Sequence, residues 1–339
     1  MVNYHKHSHI FIFTEYERII PMSDIRELQS RVDAIIEQTE KVVVGKRAEL
    51  VLLLSAMIAG GHVLIEDVPG VGKTTMVSAI SRAAGLDFHR AQFTPDVMAS
   101  DITGFNMYNR ATDKFEFRDG LAMCNLLLAD EINRASPKTQ SALLEAMEEG
   151  SVTVDGKTYT LPSPFIVIAT QNPSGYVGTY PLPEAQLDRF SLRLSMGYPT
   201  EAEELSILTG RREGNPISSV TAVADAAMMK KIIDAAAGIR MDVAVCKYIV
   251  SLIHATRKNP SISLGASPRA SVALMRLARA YAFVNGRDYV LPEDVSALFL
   301  PAISHRIILS QEARINRESK TDILRDILAS VEVPYVTGR

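Results

Sequence analysis

Cysteine is nearly absent: Cys124 and Cys246 are the two in 339 residues, too few for a disulfide framework. That fits a reducing compartment, and a cytoplasmic protein is the expectation. A membrane-spanning run is missing too. The uncharged, largely apolar stretch at residues 50–65 is interrupted by Ser55, Gly60, Gly61 and His62 and falls short of the ~18–20 apolar residues that a spanning helix needs. Neither charge sign dominates: 36 Lys and Arg against 39 Asp and Glu leave a formal net charge of −3. No global positive field therefore draws the chain to nucleic acid. Low-complexity tracts and internal repeats are lacking as well. What is present is an ordinary globular composition, 47% hydrophobic and 22% charged, which excludes a disordered chain. The length suits about two domains.

Residues 1–22 read unlike the rest, as a disordered or extended N-terminus. His5, His7 and His9 alternate there, but nothing nearby supplies the outer-shell partners a metal site needs. From Asp24 the pattern turns helical, with Glu27 three residues on as in a capping box. A second helix is expected over residues 46–59, ending at Gly60-Gly61. Short apolar runs at residues 62–66, 88–93, 126–129, 165–169 and 191–196 read as five strands separated by helices, which predicts a parallel sheet covered on both faces. After Pro199-Thr200 the segments become Ala-rich and amphipathic, so residues 23–199 read as an α/β domain and 200–339 as a helical one. Helices are expected there at 202–211, 222–237, 243–257, 268–284, 293–305 and 320–330.

The first strand runs into Asp67-Val68-Pro69-Gly70-Val71-Gly72-Lys73-Thr74-Thr75, a phosphate-binding loop. Gly70 and Gly72 let backbone amides curl around a phosphate. Lys73 is placed to reach the β- and γ-phosphates, and the Thr74 hydroxyl to ligate Mg²⁺. The full pattern asks for Gly at position 67, where this chain has Asp67. Further on, the apolar run Leu126-Leu127-Leu128-Ala129 ends in Asp130-Glu131. A carboxylate at that edge, Asp130, suits Mg²⁺. Glu131 is placed to orient or deprotonate an attacking water, which marks a hydrolase rather than a switch.

Read together, these residues resemble the AAA+ ATPases, and more narrowly the MoxR family. Residues 66–74 are similar to that family's Walker A, where Asp commonly replaces the first Gly. Asp130-Glu131-Ile132-Asn133-Arg134-Ala135, with Pro137-Lys138-Thr139-Gln140 and Leu143-Leu144-Glu145-Ala146-Met147, resembles its extended Walker B. The resemblance covers about residues 30–335 and implies a P-loop core with a helical lid. It also implies that Asn172 is sensor 1, that Arg189 is the arginine finger serving a neighbouring subunit, and that Arg269 is sensor 2 on the lid. Val44 and Gly45 would contact adenine, and Arg134 would sit at the subunit interface. ATP and Mg²⁺ are the implied cofactors, and a homo-oligomeric ring, a hexamer, the implied assembly. Residues 93–120 and 151–161 look like the helix-2 insert and the pre-sensor-1 hairpin of this branch. One departure is Ala99, where relatives usually carry Pro.

The implied activity is that of a chaperone-like motor that remodels a partner protein or assists metal insertion into it, and the family's usual partners carry von Willebrand factor A domains. Two alternatives stay open: a DNA-translocating motor and a magnesium-chelatase-type subunit. DNA translocation is disfavoured by charge. Lys157 faces Asp155 in one insert, and Arg110, Lys114 and Arg118 are balanced by Asp113, Glu116 and Asp119 in the other. In that insert, Phe115 and Phe117 alternate with charged residues, as Phe105 and Met107 flank Asn106, which gives each arm one apolar face.

Overall fold

The computed structural model describes residues 22–171, 179–210 and 216–335. The chain opens with α1 (Met22–Glu40), α2 (Arg47–Ile58), β1 (His62–Glu66) and α3 (Lys73–Ala83). Next come β2 (Phe88–Gln92), α4 (Ala99–Thr103), a ribbon of β3 (Phe105–Asn109) and β4 (Lys114–Arg118), β5 (Leu126–Asp130) and α5 (Pro137–Glu149). A second ribbon, β6 (Ser151–Val154) and β7 (Lys157–Thr160), precedes β8 (Ile166–Gln171), α6 (Glu184–Leu187) and β9 (Phe190–Leu194). The remainder is largely helical: α7 (Glu201–Gly210), α8 (Ala226–Ala237), α9 (Val243–Lys258), α10 (Pro268–Val284), α11 (Pro292–Ile303), α12 (Gln311–Ile315) and α13 (Lys320–Ser330). A small antiparallel pair, β10 (Ile262–Leu264) and β11 (Ile308–Leu309), ties this half together.

The five expected strands form one parallel sheet in the order β2-β5-β8-β1-β9. Both faces are buried, as a parallel sheet requires. Val63, Ile65, Leu126, Leu128, Ile166 and Ile168 point to the face covered by α1–α3. Leu64, Leu127, Ala129, Val167 and Ala169 point to the face covered by α4 and α5. The first of these cores runs on without a break into α8–α11 and α13, so the lid shares a core with the sheet domain. α10 packs against α2 and β9, and α11 against β9.

Several boundaries differ from expectation for local reasons. α1 begins at Met22, which puts Asp24 in its first turn, where a carboxylate favours the helix dipole. α8 starts at Ala226 instead of residue 222, because the Asp225 side chain caps it by accepting from the Met228 amide at 2.7 Å. Ala99 is the first residue of α4, a position where Pro is equally at home. Residues 1–21, most of the expected N-terminal segment, lie outside the described residues.

The second ribbon has the expected register, Val152 opposite Tyr159 and Val154 opposite Lys157. Asp155 and Gly156 turn it with φ of 49° and 78°, the left-handed pair of a type I′ hairpin. The first ribbon pairs Tyr108 with Phe115, Asn106 with Phe117 and Met107 with Glu116. Its two apolar stripes therefore lie on opposite faces: Tyr108, Phe115 and Phe117 on one, Phe105 and Met107 on the other. The ribbons also dock on each other. The Phe117 ring stacks on Tyr159 at 3.8 Å between centroids and 13° between planes, and Asn106 Nδ2 donates to Asp155 Oδ2 at 2.7 Å.

Candidate nucleotide site

β1, β5 and β8 all end on one side of the sheet, the carboxyl edge where open parallel sheets bind ligands. From that edge of β1 the chain turns through Pro69, Gly70 and Val71 into α3, with Gly70 at φ 88° and Gly72 at 91°. Both need the left-handed freedom of glycine, and a Cβ on either would meet nothing within 4 Å. The loop thus encloses open space at a helix N-terminus, a ready anion cradle. Lys73, the first residue of α3, donates through Nζ to the carbonyls of Asp67 at 2.8 Å and Val68 at 3.3 Å. Burial pulls its ammonium below the ordinary lysine range, while the negative charges of Asp67, Asp130 and Glu131 act the other way. Thr74 and Thr75 follow in the first turn of α3.

Asp67 holds the loop from beneath. Its Oδ2 accepts from the amides of Met196 at 2.5 Å and Gly197 at 2.8 Å and from Ser195 Oγ at 3.2 Å, while its Oδ1 accepts from the Val68 amide at 3.0 Å. The residue that departs from the glycine pattern thereby fastens the P-loop to the segment leaving β9.

The acids at the end of β5 are held just as closely. Thr170, buried at the end of β8, donates to Asp130 Oδ1 at 2.6 Å and accepts from the Glu131 amide at 2.9 Å. Arg90 on the edge strand β2 donates to Asp130 Oδ2 at 2.7 Å. Glu131 has φ 58°, a left-handed backbone that a non-glycine residue adopts at a cost of about 1–2 kcal/mol. Arg134 pairs with its Oε2 at 3.1 Å, which places Arg134 beside the acid of its own chain. Gln140 braces the following loop by donating to the carbonyls of Ile132, Ala135 and Tyr180.

The two other arginines lie elsewhere. Arg189 precedes Phe190, whose partner in the sheet is His62 at the start of β1. Four strand steps, about 13 Å, separate that edge from the P-loop. Arg269 comes to the same edge from the second residue of α10. Both pair with one carboxylate at the end of α5, Arg189 with Glu148 Oε2 at 3.0 Å and Arg269 with Oε1 at 2.5 Å. They line a cavity of about 280 Å³ with Gly61, His62 and Arg276. Gly45 turns the chain at φ 73° after α1, and the Glu203 side chain packs where its Cβ would be. Val44 beside it is exposed. Asn172 lies outside the described residues.

Residues 62–192 match the family described as "ATPase family associated with various cellular activities (AAA)", and residues 254–327 match the AAA lid domain. The chain is 50% identical over 311 residues to the uncharacterised protein YeaC of Bacillus subtilis, covering 91% of this chain and 96% of that one. It is 38% identical over 316 residues to the chaperone MoxR1 of Mycobacterium tuberculosis, covering 91% and 83%. The chain belongs to the MoxR family of AAA+ ATPases. A candidate ATPase from Cytophaga hutchinsonii, solved by crystallography, superposes on this MoxR-family fold with a TM-score of 0.86 at 38% identity, covering 92% of this chain and 98% of that one.

The donor set of the MoxR-family site fits Mg²⁺. Thr74 and Asp130 offer hard oxygen ligands, and each Asp130 oxygen, with two lone pairs, keeps capacity beyond its bond to Thr170 or Arg90. Two protein oxygens would leave room for phosphate oxygens and water, as Mg²⁺ prefers. Sequence reasoning missed Arg90, Thr170 and Glu148. Thr170 carried a faint signal, being a polar residue closing an apolar strand beside the Asn172 stretch. Arg90 and Glu148 carried none, since their partners stand 40 and 41 or more positions away.

Proposed function

We propose that this chain hydrolyses ATP with Mg²⁺, and that its active site is completed by a neighbouring subunit in a ring. The observation that carries the first part is the open glycine cradle with buried Lys73 at the start of α3, on the same edge of the sheet as Asp130 and Glu131. In this reading the loop amides and Lys73 hold the β- and γ-phosphates, and Lys73 exchanges two loop carbonyls for phosphate oxygens. Thr74 and Asp130 would hold Mg²⁺, which when bound neutralises charge on the phosphate oxygens. Glu131 accepts the proton of the attacking water, its backbone fixed by the Thr170 hydroxyl. Asn172 would help orient that water, and Val44 and Gly45 would contact adenine.

The second part rests on distance. Arg189 and Arg269 stand at the opposite edge from their own P-loop, so they serve a site on another copy. Their shared pairing with Glu148 supports this reading, since one anion engages both at once, as a γ-phosphate would. We read residues 23–199 as the nucleotide-binding domain and 200–339 as the lid. The partner reading is a protein, in line with the family's von Willebrand factor A domain partners. The ribbons support it, since β3 and β4 expose Phe105, Met107, Tyr108 and Phe115 without a basic excess.

Two variants test the chemistry. Lys73→Ala weakens nucleotide binding, because the charge that holds the phosphates is gone. Glu131→Gln keeps the shape and binds ATP, while turnover falls ~10²-fold or more. Full turnover in Glu131→Gln contradicts the assignment.

A further inference from the structure

The residues on either side of Arg189 are tied to the lid. Ser267, which caps α10, donates through Oγ to Asp188 Oδ2 at 2.9 Å. Arg306, just beyond α11, lies 3.0 Å from Asp188 Oδ1. Its Nη2 donates to the Asp188 carbonyl at 3.2 Å and the Phe190 carbonyl at 2.9 Å, and its Nη1 to the Ala302 carbonyl at 3.2 Å. His305 Nε2 lies 2.8 Å from the same Phe190 carbonyl. Arg306 is only 6% exposed. Burying a guanidinium is costly, and an apolar side chain of similar volume would fill the space without that cost. What Arg306 supplies that an apolar residue would not is a planar fork spanning the carbonyls that flank Arg189.

We propose that Arg306 is a positioning residue for Arg189. Acting through Asp188 and the two flanking carbonyls, it sets the direction in which Arg189 projects. Ser267 ties the Asp188 carboxylate to α10, the helix that carries Arg269. Arg189 and Arg269 therefore travel with the lid as one unit, and the lid of one subunit sets the arginine pair offered to the next. This rests on the reading that Arg189 serves a neighbouring site.

The test compares Arg306→Met, Ser267→Ala, Asp188→Asn and Arg189→Ala in the full chain, measuring kcat, ATP affinity and assembly for each. Arg306→Met is expected to lower kcat ~10-fold or more, toward the level of Arg189→Ala, with ATP affinity and assembly kept. Mixed with Lys73→Ala, which brings an intact Arg189 peptide, it recovers part of its turnover. A purely structural role would not give that rescue. Ser267→Ala and Asp188→Asn each remove one anchor and are expected to lower kcat several-fold with unchanged affinity, which keeps the test open should Arg306→Met fail to fold. Native kcat in these variants alongside an impaired Arg189→Ala overturns the positioning role alone. Native kcat in Arg189→Ala overturns the neighbouring-site reading and the positioning role with it.

Discussion

Asp67 illustrates how a single side chain stabilises the site without taking part in the chemistry. It receives three bonds from residues 195–197, some 130 positions away. Asp67→Ala leaves buried amides without an acceptor and is expected to cost about 2–3 kcal/mol in urea denaturation. Asp67→Gly restores the formal P-loop pattern yet is expected to lose stability and gain no turnover. His62 makes a second prediction. The Val167 amide donates to its Nδ1 at 3.0 Å, so the ring proton sits on Nε2 and goes to the Met147 carbonyl at 3.0 Å. Burial lowers its pKa from 6.5 to about 4, and His305 is lowered for the same reason. The unfolded chain thus takes up protons first, and stability falls as pH drops from 6.5 toward 4, by up to about 3 kcal/mol from His62. Comparing urea midpoints at pH 7 and 4.5 for the native chain and His62→Asn checks this: the variant is expected to lose less. Cys124, with its thiol pushed up to about 12 by burial, is inert packing. At this scale the sequence exposes residues whose role is set by neighbours along the chain, such as Lys73 and Glu131. It conceals Asp67, Thr170 and Arg306, whose partners are brought to them only by the fold.

Among the elements, the two ribbons show where pattern reading stops. The β6–β7 turn was legible because Asp155-Gly156 accepts two positive φ angles in succession, and a two-residue loop then fixes every pair. In β3–β4 the alternation gives the faces of each arm. The longer turn, residues 110–113, leaves open which faces coincide, and they turn out to be opposite. The helices 268–284 and 320–330 were read to the residue because Ser267 and Ser319 cap them sharply. The β10–β11 pair was invisible, since strands of three and two residues carry no periodicity. The docking of Phe117 on Tyr159 separates two aromatics that look equivalent in sequence. Phe117→Ser is expected to lower the melting temperature, losing about 1 kcal/mol or more. Phe115→Ser, at a position 73% exposed whose ring meets the exposed Tyr108 edge to face at 5.5 Å, is expected to lower the melting temperature less than Phe117→Ser and to leave the basal ATPase unchanged. If Phe115 grips a partner, only partner capture falls in that variant.

For the whole molecule, the sheet places the P-loop acids and the Arg189–Arg269 pair at opposite edges. The P-loop, Asp130 and Glu131 stand at the carboxyl ends of the strands, and Arg189 and Arg269 at the other, in a lid-bound cluster around Glu148. α5 connects them, beginning beside the Walker B loop at its Ser136 cap and carrying Glu148 in its last turn. On the proposed reading, a single chain would bind ATP without the arginines that complete hydrolysis, and a second copy would supply them. The most direct measurement is a mixing experiment with Lys73→Ala and Arg189→Ala, each expected to be nearly inactive alone. Mixed, they create interfaces with an intact Lys73 site on one copy and an intact Arg189 on the next, and turnover is expected to return in part. No recovery on mixing, or full activity of the native chain as a monomer at high dilution, would contradict a shared site.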